Sequence, residues 1–89
     1  MKDITIYTLS YCPYCTKAKI FFDEHNAKYT EINCEDDEEN WRDKLTQQFN
    51  LKSRATFPQI VIDSNYVGGY ADLVDKTANG EIVFWFELI

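Results

Sequence analysis

The chain predicts an α/β domain in which a four-stranded mixed sheet is flanked by helices, in the order β-α-β-α-β-β-α. Three observations lead there. Strand-like alternation gives way to helical periodicity twice in the first half of the sequence. Residues 57–63 are strongly apolar and are followed by a second short strand, as in a hairpin. Eighty-nine residues suffice for one small domain with one modest core, here expected to span residues 1–89. A strand–helix–strand unit closes as a right-handed crossover, so the first two strands should be parallel. The hairpin then adds antiparallel neighbours.

Each element has its own signal. Residues 3–8, Asp-Ile-Thr-Ile-Tyr-Thr, alternate and are rich in β-branched types. Pro13 suits a first helical turn, because the N–H it lacks has no partner there. From it a helix should run to about Asn26, with Cys15, Ala18, Phe21, Phe22 and His25 on one face. Residues 27–34 return to strand alternation, anchored by Tyr29 and Ile32. The acidic run at 35–39 should open a second helix ending near Phe49, since carboxylates favour the positive end of the dipole. Residues 52–55 read as a loop. Ser64-Asn65 is the expected tight turn of the hairpin, Gly68-Gly69 breaks it, and a third helix covers 70–78 before the stop signal Asn79-Gly80.

Composition narrows the function classes. The chain is 45% apolar and 16% aromatic, as a folded protein is. A net charge of −6 argues against a nucleic-acid groove. No signal peptide opens the sequence, and no apolar run nears the ~20 residues that cross a bilayer. Three cysteines form an odd count, a poor start for a disulfide framework. These features suggest a cytoplasmic protein, expected to act as a monomer, with no nucleic-acid or membrane partner.

The chemistry centres on Cys12 and Cys15, two residues apart at the junction of the first strand and the first helix. A thiol at a helix N-terminus faces unpaired N–H groups that stabilise its thiolate, and a second thiol one turn on can resolve the bond it forms. Zinc sites use the same spacing, but only Cys34 and His25 remain as further ligands, with no paired spacing, so no metal site is expected.

Cys12-Pro13-Tyr14-Cys15, Thr56-Phe57-Pro58 and Gly68-Gly69-Tyr70-Ala71-Asp72-Leu73 together resemble the three signature segments of dithiol glutaredoxins, in that family's order and near its spacings. The likeness spans about residues 3–78. It implies a thioredoxin-like fold and a glutathione-dependent thiol–disulfide oxidoreductase, with glutathione as reducing co-substrate and no tightly bound cofactor. Its substrates would be protein disulfides and glutathione mixed disulfides, and its partners would include reductases such as ribonucleotide reductase. Cys12 would attack and Cys15 resolve, with Lys19 as a neighbouring charge. Pro58 would be cis, leaving the Phe57 backbone open to an extended glutathione, with Thr56 beside it. Gly69 would admit the ligand closely, while the Ala71 N–H and the Asp72 carboxylate would hold its γ-glutamyl end. Tyr14 would form a wall of the site. Relatives often carry a cation three residues before the first cysteine; this chain has Leu9, so Arg54 or Lys52 is expected to supply that charge.

Two other classes fit the cysteine pair. One is a module in which Cys12 and glutathione hold an iron–sulfur cluster between two monomers, against which Pro13 counts. The other is a thioredoxin-like reductant, against which the Gly-Gly-x-x-Asp segment counts. Other features take plainer readings. Cys34 is a packed thiol, His25 an ordinary helix residue, and the acidic run a solvated helix start. Phe21, Phe22, Trp41 and Phe49 are packing groups, and the apolar segment 80–89 folds back onto the domain.

Overall fold

The computed structural model describes residues 3–84. It contains β1 (Ile4–Thr8), α1 (Pro13–Glu24), β2 (Thr30–Asn33), α2 (Glu38–Gln48), β3 (Gln59–Ile62), β4 (Asn65–Gly68) and α3 (Tyr70–Ala78), with a 3-10 turn at Glu35–Asp37 before α2. The sheet order is β2-β1-β3-β4. β1 runs parallel to β2 and antiparallel to β3, and β4 returns antiparallel to β3.

Alternation along β1 decides the layers. Ile4 and Ile6 are buried with Ile60, Ile62, Ala18, Phe22 and Leu73, so α1 and α3 cover one face. Tyr7 points the other way, where its ring lies 5.7 Å from Trp41 and 6.3 Å from Phe49. Phe49 in turn stacks on Tyr66 at 4.4 Å, so aromatic packing joins the second face of the sheet to α2 and the residue that follows it. On α1, Cys15, Ala18 and Phe22 are buried, while Phe21 and His25 are half-buried and stack on each other at 4.2 Å.

Local boundaries differ from expectation where side chains rewire the backbone. α1 stops at Glu24 because Asn26 takes a left-handed conformation (φ 54°) and the Ala27 N–H turns back to Phe22 O at 2.8 Å. Ala27 is therefore a buried helix-closing residue, and β2 begins only at Thr30. The acidic run does not start an α-helix directly. Asn33 Oδ1 accepts from the Glu35 N–H at 2.9 Å and Cys34 O from the Asp37 N–H at 3.3 Å, which winds residues 35–37 into a 3-10 turn. The hairpin turn is one residue earlier than expected, at Asp63 and Ser64, both with positive φ (52° and 68°). A two-residue turn of this hand needs φ > 0 at both positions, and Asp tolerates it. Asp63 is further pinned by exchanging two 2.8 Å hydrogen bonds with Asp3.

After α3, Gly80 adopts φ 83° and the chain turns back, with the Glu81 and Ile82 N–H groups on Lys76 O at 2.9 and 3.1 Å. Ile82 and Phe84 are then buried in the main core. The remainder of the apolar segment expected to fold back, residues 85–89, lies outside the described residues. No helix among the described residues is long and apolar enough to cross a membrane.

Phe84 is 1% exposed and its ring lies 6.3 Å from both Phe21 and Phe22, whereas Val83 is 40% exposed. Phe84→Ala should therefore cost about 3–5 kcal/mol of unfolding free energy. Val83→Ala should stay within about 0.5 kcal/mol. Urea denaturation of both variants checks this, and equal costs would contradict the packing described.

Candidate active site

Cys12 is the N-cap of α1, in an extended conformation (φ −101°, ψ 109°), with Pro13 opening the helix behind it. The cap geometry turns its side chain back over the first turn, so Cys12 Sγ accepts a hydrogen bond from the Cys15 N–H at 3.1 Å. On its other side the Cys12 thiol donates to Phe57 O at 3.5 Å, across 45 residues of sequence. The sheet makes this contact possible. Antiparallel pairing of β1 with β3 sets Tyr7 opposite Gln59, so the loop leaving β1 and the loop entering β3 share one end of the sheet. The Phe57–Pro58 peptide bond is cis.

The two cysteines occupy unlike surroundings. Cys12 is half-buried, whereas Cys15 is 1% exposed beneath it. Burial pushes the Cys15 thiol up to about 12, with its hydrogen-bonded neighbour Cys12 adding to the rise. Lys19 opposes this by its charge, but its ammonium is paired with Glu31 at 3.0 Å, and Glu31 also accepts from the buried Thr8 hydroxyl at 2.6 Å. Lys19 is thus shared with Glu31 and is not a dedicated partner of Cys12. Cys34 is wholly buried, and desolvation pushes its thiol up to about 11.

Beside the cysteines lies a cleft of about 280 Å³, lined by Tyr14, Thr56, Phe57, Pro58, Gly69, Tyr70, Ala71 and Asp72. Seven of these were singled out from the sequence, and they come from three separate segments. Gly69 caps α3, and its N–H donates to Asp72 Oδ2 at 3.0 Å. The glycine that the geometry demands is Gly68: at φ 120°, a Cβ there would collide with Asp72 Oδ2 and stand 2.8 Å from its Cγ. At Gly69 a Cβ would meet Pro58 O at an ordinary 3.6 Å. Buried Gln59 fixes the opposite wall, donating to Thr56 O at 2.7 Å and accepting from the Tyr66 hydroxyl at 2.5 Å.

Arg54 is not brought to this cleft. Its guanidinium bonds Glu39 at 2.5 Å and reaches Asp43 at 3.4 Å, in a separate recess that Lys52 shares. Leu9 is buried, 4% exposed. Among the described residues, Lys17 lies 5.0 Å from the Tyr14 ring centroid at one side of the cleft lining, and Arg42 on α2 stands beside the Phe57 wall. Its guanidinium lies 5.0 Å from the Phe57 ring centroid, and Nη1 donates to Ala55 O at 2.7 Å. Thr46, one turn further along α2, accepts from the Ala55 N–H at 2.8 Å, so α2 holds the Thr-Phe-Pro loop by both backbone groups of Ala55.

A buried thiol beneath a half-buried one, next to a cleft built from three distant segments, is an arrangement that can carry out thiol–disulfide exchange. Residues 4–67 match the glutaredoxin family model. The chain belongs to the glutaredoxin family. It is 40% identical over 79 residues to glutaredoxin 1 of Rickettsia bellii, covering 89% of this chain and 81% of that one. Among solved structures, glutaredoxin 1 from Francisella tularensis, complexed with cacodylate, superposes with TM-score 0.78 at 30% identity over 89% of this chain and 95% of that one. A buckwheat glutaredoxin–glutathione complex superposes at 0.77 with 26% identity, over 89% of this chain and 71% of that one. The fold is therefore thioredoxin-like and the glutaredoxin is a thiol–disulfide oxidoreductase.

Sequence reasoning missed Arg42, Gln59 and Tyr70. Tyr70 sits inside the third signature segment and could have been read with it. Arg42 had no signal beyond its charge, because the contact with Phe57 arises only when α2 folds against the loop.

Brief exposure of the reduced, folded glutaredoxin to iodoacetamide at pH 7 should label Cys12 ahead of Cys15 and Cys34, read by peptide mass mapping. Equal labelling of all three would contradict the burial described. A second consequence concerns stability. An unfolded thiol releases its proton near its ordinary value of 9.0, whereas folded Cys34 keeps it to about 11. The folded state binds more protons in that window, so the Cys34 contribution is intact below about 9 and lost as pH rises through about 11. Cys34→Ala should flatten the fall of unfolding free energy with pH in this range; an unchanged slope would contradict the assignment.

Proposed function

We propose that this chain is a glutathione-dependent glutaredoxin that reduces protein disulfides and glutathione mixed disulfides through Cys12 and Cys15. The observation that carries the reading is the contact of Cys12 Sγ with Phe57 O at 3.5 Å. It supports a reactive sulfur close to a cleft in which, among the described residues, all three signature segments meet. The likeness to a buckwheat glutaredoxin that binds glutathione supports the same ligand here.

In this mechanism the Cys12 thiolate attacks the glutathionyl sulfur of a mixed disulfide. A Cys12–glutathione bond forms, the original S–S bond breaks, and the substrate leaves as a thiolate that takes up a proton. A second glutathione thiolate attacks the bound glutathionyl sulfur, giving oxidised glutathione and restoring Cys12. With a protein disulfide, Cys12 bonds to the substrate and Cys15 then attacks Cys12 Sγ, passing its proton to the departing thiolate. Two glutathiones reduce the resulting Cys12–Cys15 bond. The high value of Cys15 suits that role: it stays protonated until a leaving thiolate next to it can accept the proton.

The cleft divides the binding work. Tyr14 and Tyr70, with ring centroids 6.2 Å apart, offer an apolar wall. The Phe57 backbone can pair with an extended tripeptide as an added strand would. The first turn of α3, through the Ala71 N–H, takes the γ-glutamyl carboxylate, and Asp72 takes its ammonium. Thr56, Pro58 and Gly69 shape the floor. Arg42, against Phe57, takes the second carboxylate that was assigned to Arg54 or Lys52. The same reading makes the chain a cytoplasmic electron donor to enzymes that finish turnover as disulfides, ribonucleotide reductase among them.

Reduction of a glutathionylated peptide, coupled to glutathione reductase, tests the reading. Cys12→Ser should fall to background, and Cys15→Ser should retain activity on this substrate while losing it on an intramolecular protein disulfide. Asp72→Asn should raise KM by about tenfold, the worth of one charge-assisted hydrogen bond, with kcat little changed. Full activity of Cys12→Ser would overturn the proposal.

A further inference from the structure

One carboxylate near the cleft has no part in the exchange chemistry. Glu38, the first residue of α2, accepts from Arg42 Nε at 3.0 Å and from Arg42 Nη2 at 2.7 Å through Oε2. Its other oxygen, Oε1, accepts from the hydroxyl of Tyr11. Tyr11 is the residue before Cys12, and Arg42 packs on Phe57. A negative charge is thus held between the attacking cysteine's neighbour and the cation at the Phe57 wall. Hydrogen bonds from Tyr11 and Arg42 hold the Glu38 carboxyl below the usual carboxylate range, so it stays ionised at neutral pH.

The consequence for a ligand follows from donor accounting. Of the five guanidinium hydrogens of Arg42, three are committed: two to Glu38 and one to Ala55 O. Two remain for a ligand carboxylate, so the geometry still permits binding. The charge does not favour it in full, because an arriving anion meets a cation already neutralised and feels the repulsion of Glu38 beside it.

We propose that Glu38 is a specificity-determining residue that masks Arg42, weakening the cleft's hold on the second carboxylate of a glutathionyl group and tilting the enzyme toward disulfides without a carboxylate there. The inference rests on the glutathione reading above. Glu38→Gln removes the charge and keeps one oxygen to accept from Arg42, while its amide N–H2 can donate to the Tyr11 hydroxyl oxygen. With a glutathionylated peptide, this variant should lower KM roughly threefold, the scale of a partly exposed charge interaction, and leave kcat unchanged. Its single-turnover rate with bis(2-hydroxyethyl) disulfide, which has no carboxylate, should match the wild type. Arg42→Gln should raise KM, and adding Glu38→Gln to it should then lower KM by less than the same change does in the wild type, since only the direct repulsion is left to relieve. Should Glu38→Gln fold poorly, Glu38→Ser at the same helix-start position reads the same loss of charge. An unchanged KM, or one raised as in Arg42→Gln, would overturn the inference and make Glu38 a brace for Arg42. Absence of any saturation by the glutathionylated peptide in the wild type would overturn the glutathione reading itself, and the inference with it.

Discussion

The structure turns on the position of one sulfur atom, Cys12 Sγ, held between the Cys15 N–H of the first helical turn and the carbonyl of Phe57. The first contact is local and needs only an N-cap geometry with Pro13 behind it. The second is possible only because β1 and β3 pair antiparallel and bring their adjoining loops together. Helix start, sheet topology and the Thr-Phe-Pro loop therefore converge on one atom. A thiolate formed there keeps the N–H donor, while the Phe57 carbonyl, a hydrogen-bond acceptor, is released toward whatever backbone lies in the cleft. The same geometry that holds the resting thiol thus sets a loop carbonyl next to it.

Around this atom the labour is divided by burial. Cys15 lies directly beneath Cys12 in the apolar interior, and its thiol is costly to ionise there. In the proposed mechanism that asymmetry sets an order of action with no further device: the outer sulfur would meet substrate first. α2 takes a supporting part. Arg42 and Thr46 grip both backbone groups of Ala55, and Gln59 grips Thr56 O, so the two residues before Phe57 are anchored. Asp72 is both a helix-start carboxylate and the reason Gly68 must be glycine.

Much of this was legible in the sequence. Element order, the parallel and antiparallel pairings, and the cysteine pair at a helix start follow from periodicity and from Pro13. Seven cleft residues were found because they fall in three short motifs. What was not legible depends on contacts between distant elements. The acidic run looked like an α-helix start, yet the Asn33 side chain and the Cys34 carbonyl wound it into a 3-10 turn. Ala27 read as strand, but the left-handed Asn26 folds it back onto α1. Arg54 was the natural guess for a cation beside Thr56, being nearest in sequence. Glu39 and Asp43, one turn apart on α2, draw it away, while Arg42 arrives from the same helix. Charge alone did not distinguish the two arginines; the orientation of α2 did.

The central claim is that Cys12 and the adjoining cleft form one glutathione site. The most direct measurement is a solution structure by nuclear magnetic resonance of Cys15→Ser carrying glutathione in a disulfide with Cys12. Nuclear Overhauser contacts are expected from the γ-glutamyl group to Ala71 and Asp72, and from the tripeptide backbone to Phe57. A glutathionyl group without those contacts, lying instead toward the Arg54 and Lys52 recess, would contradict the claim.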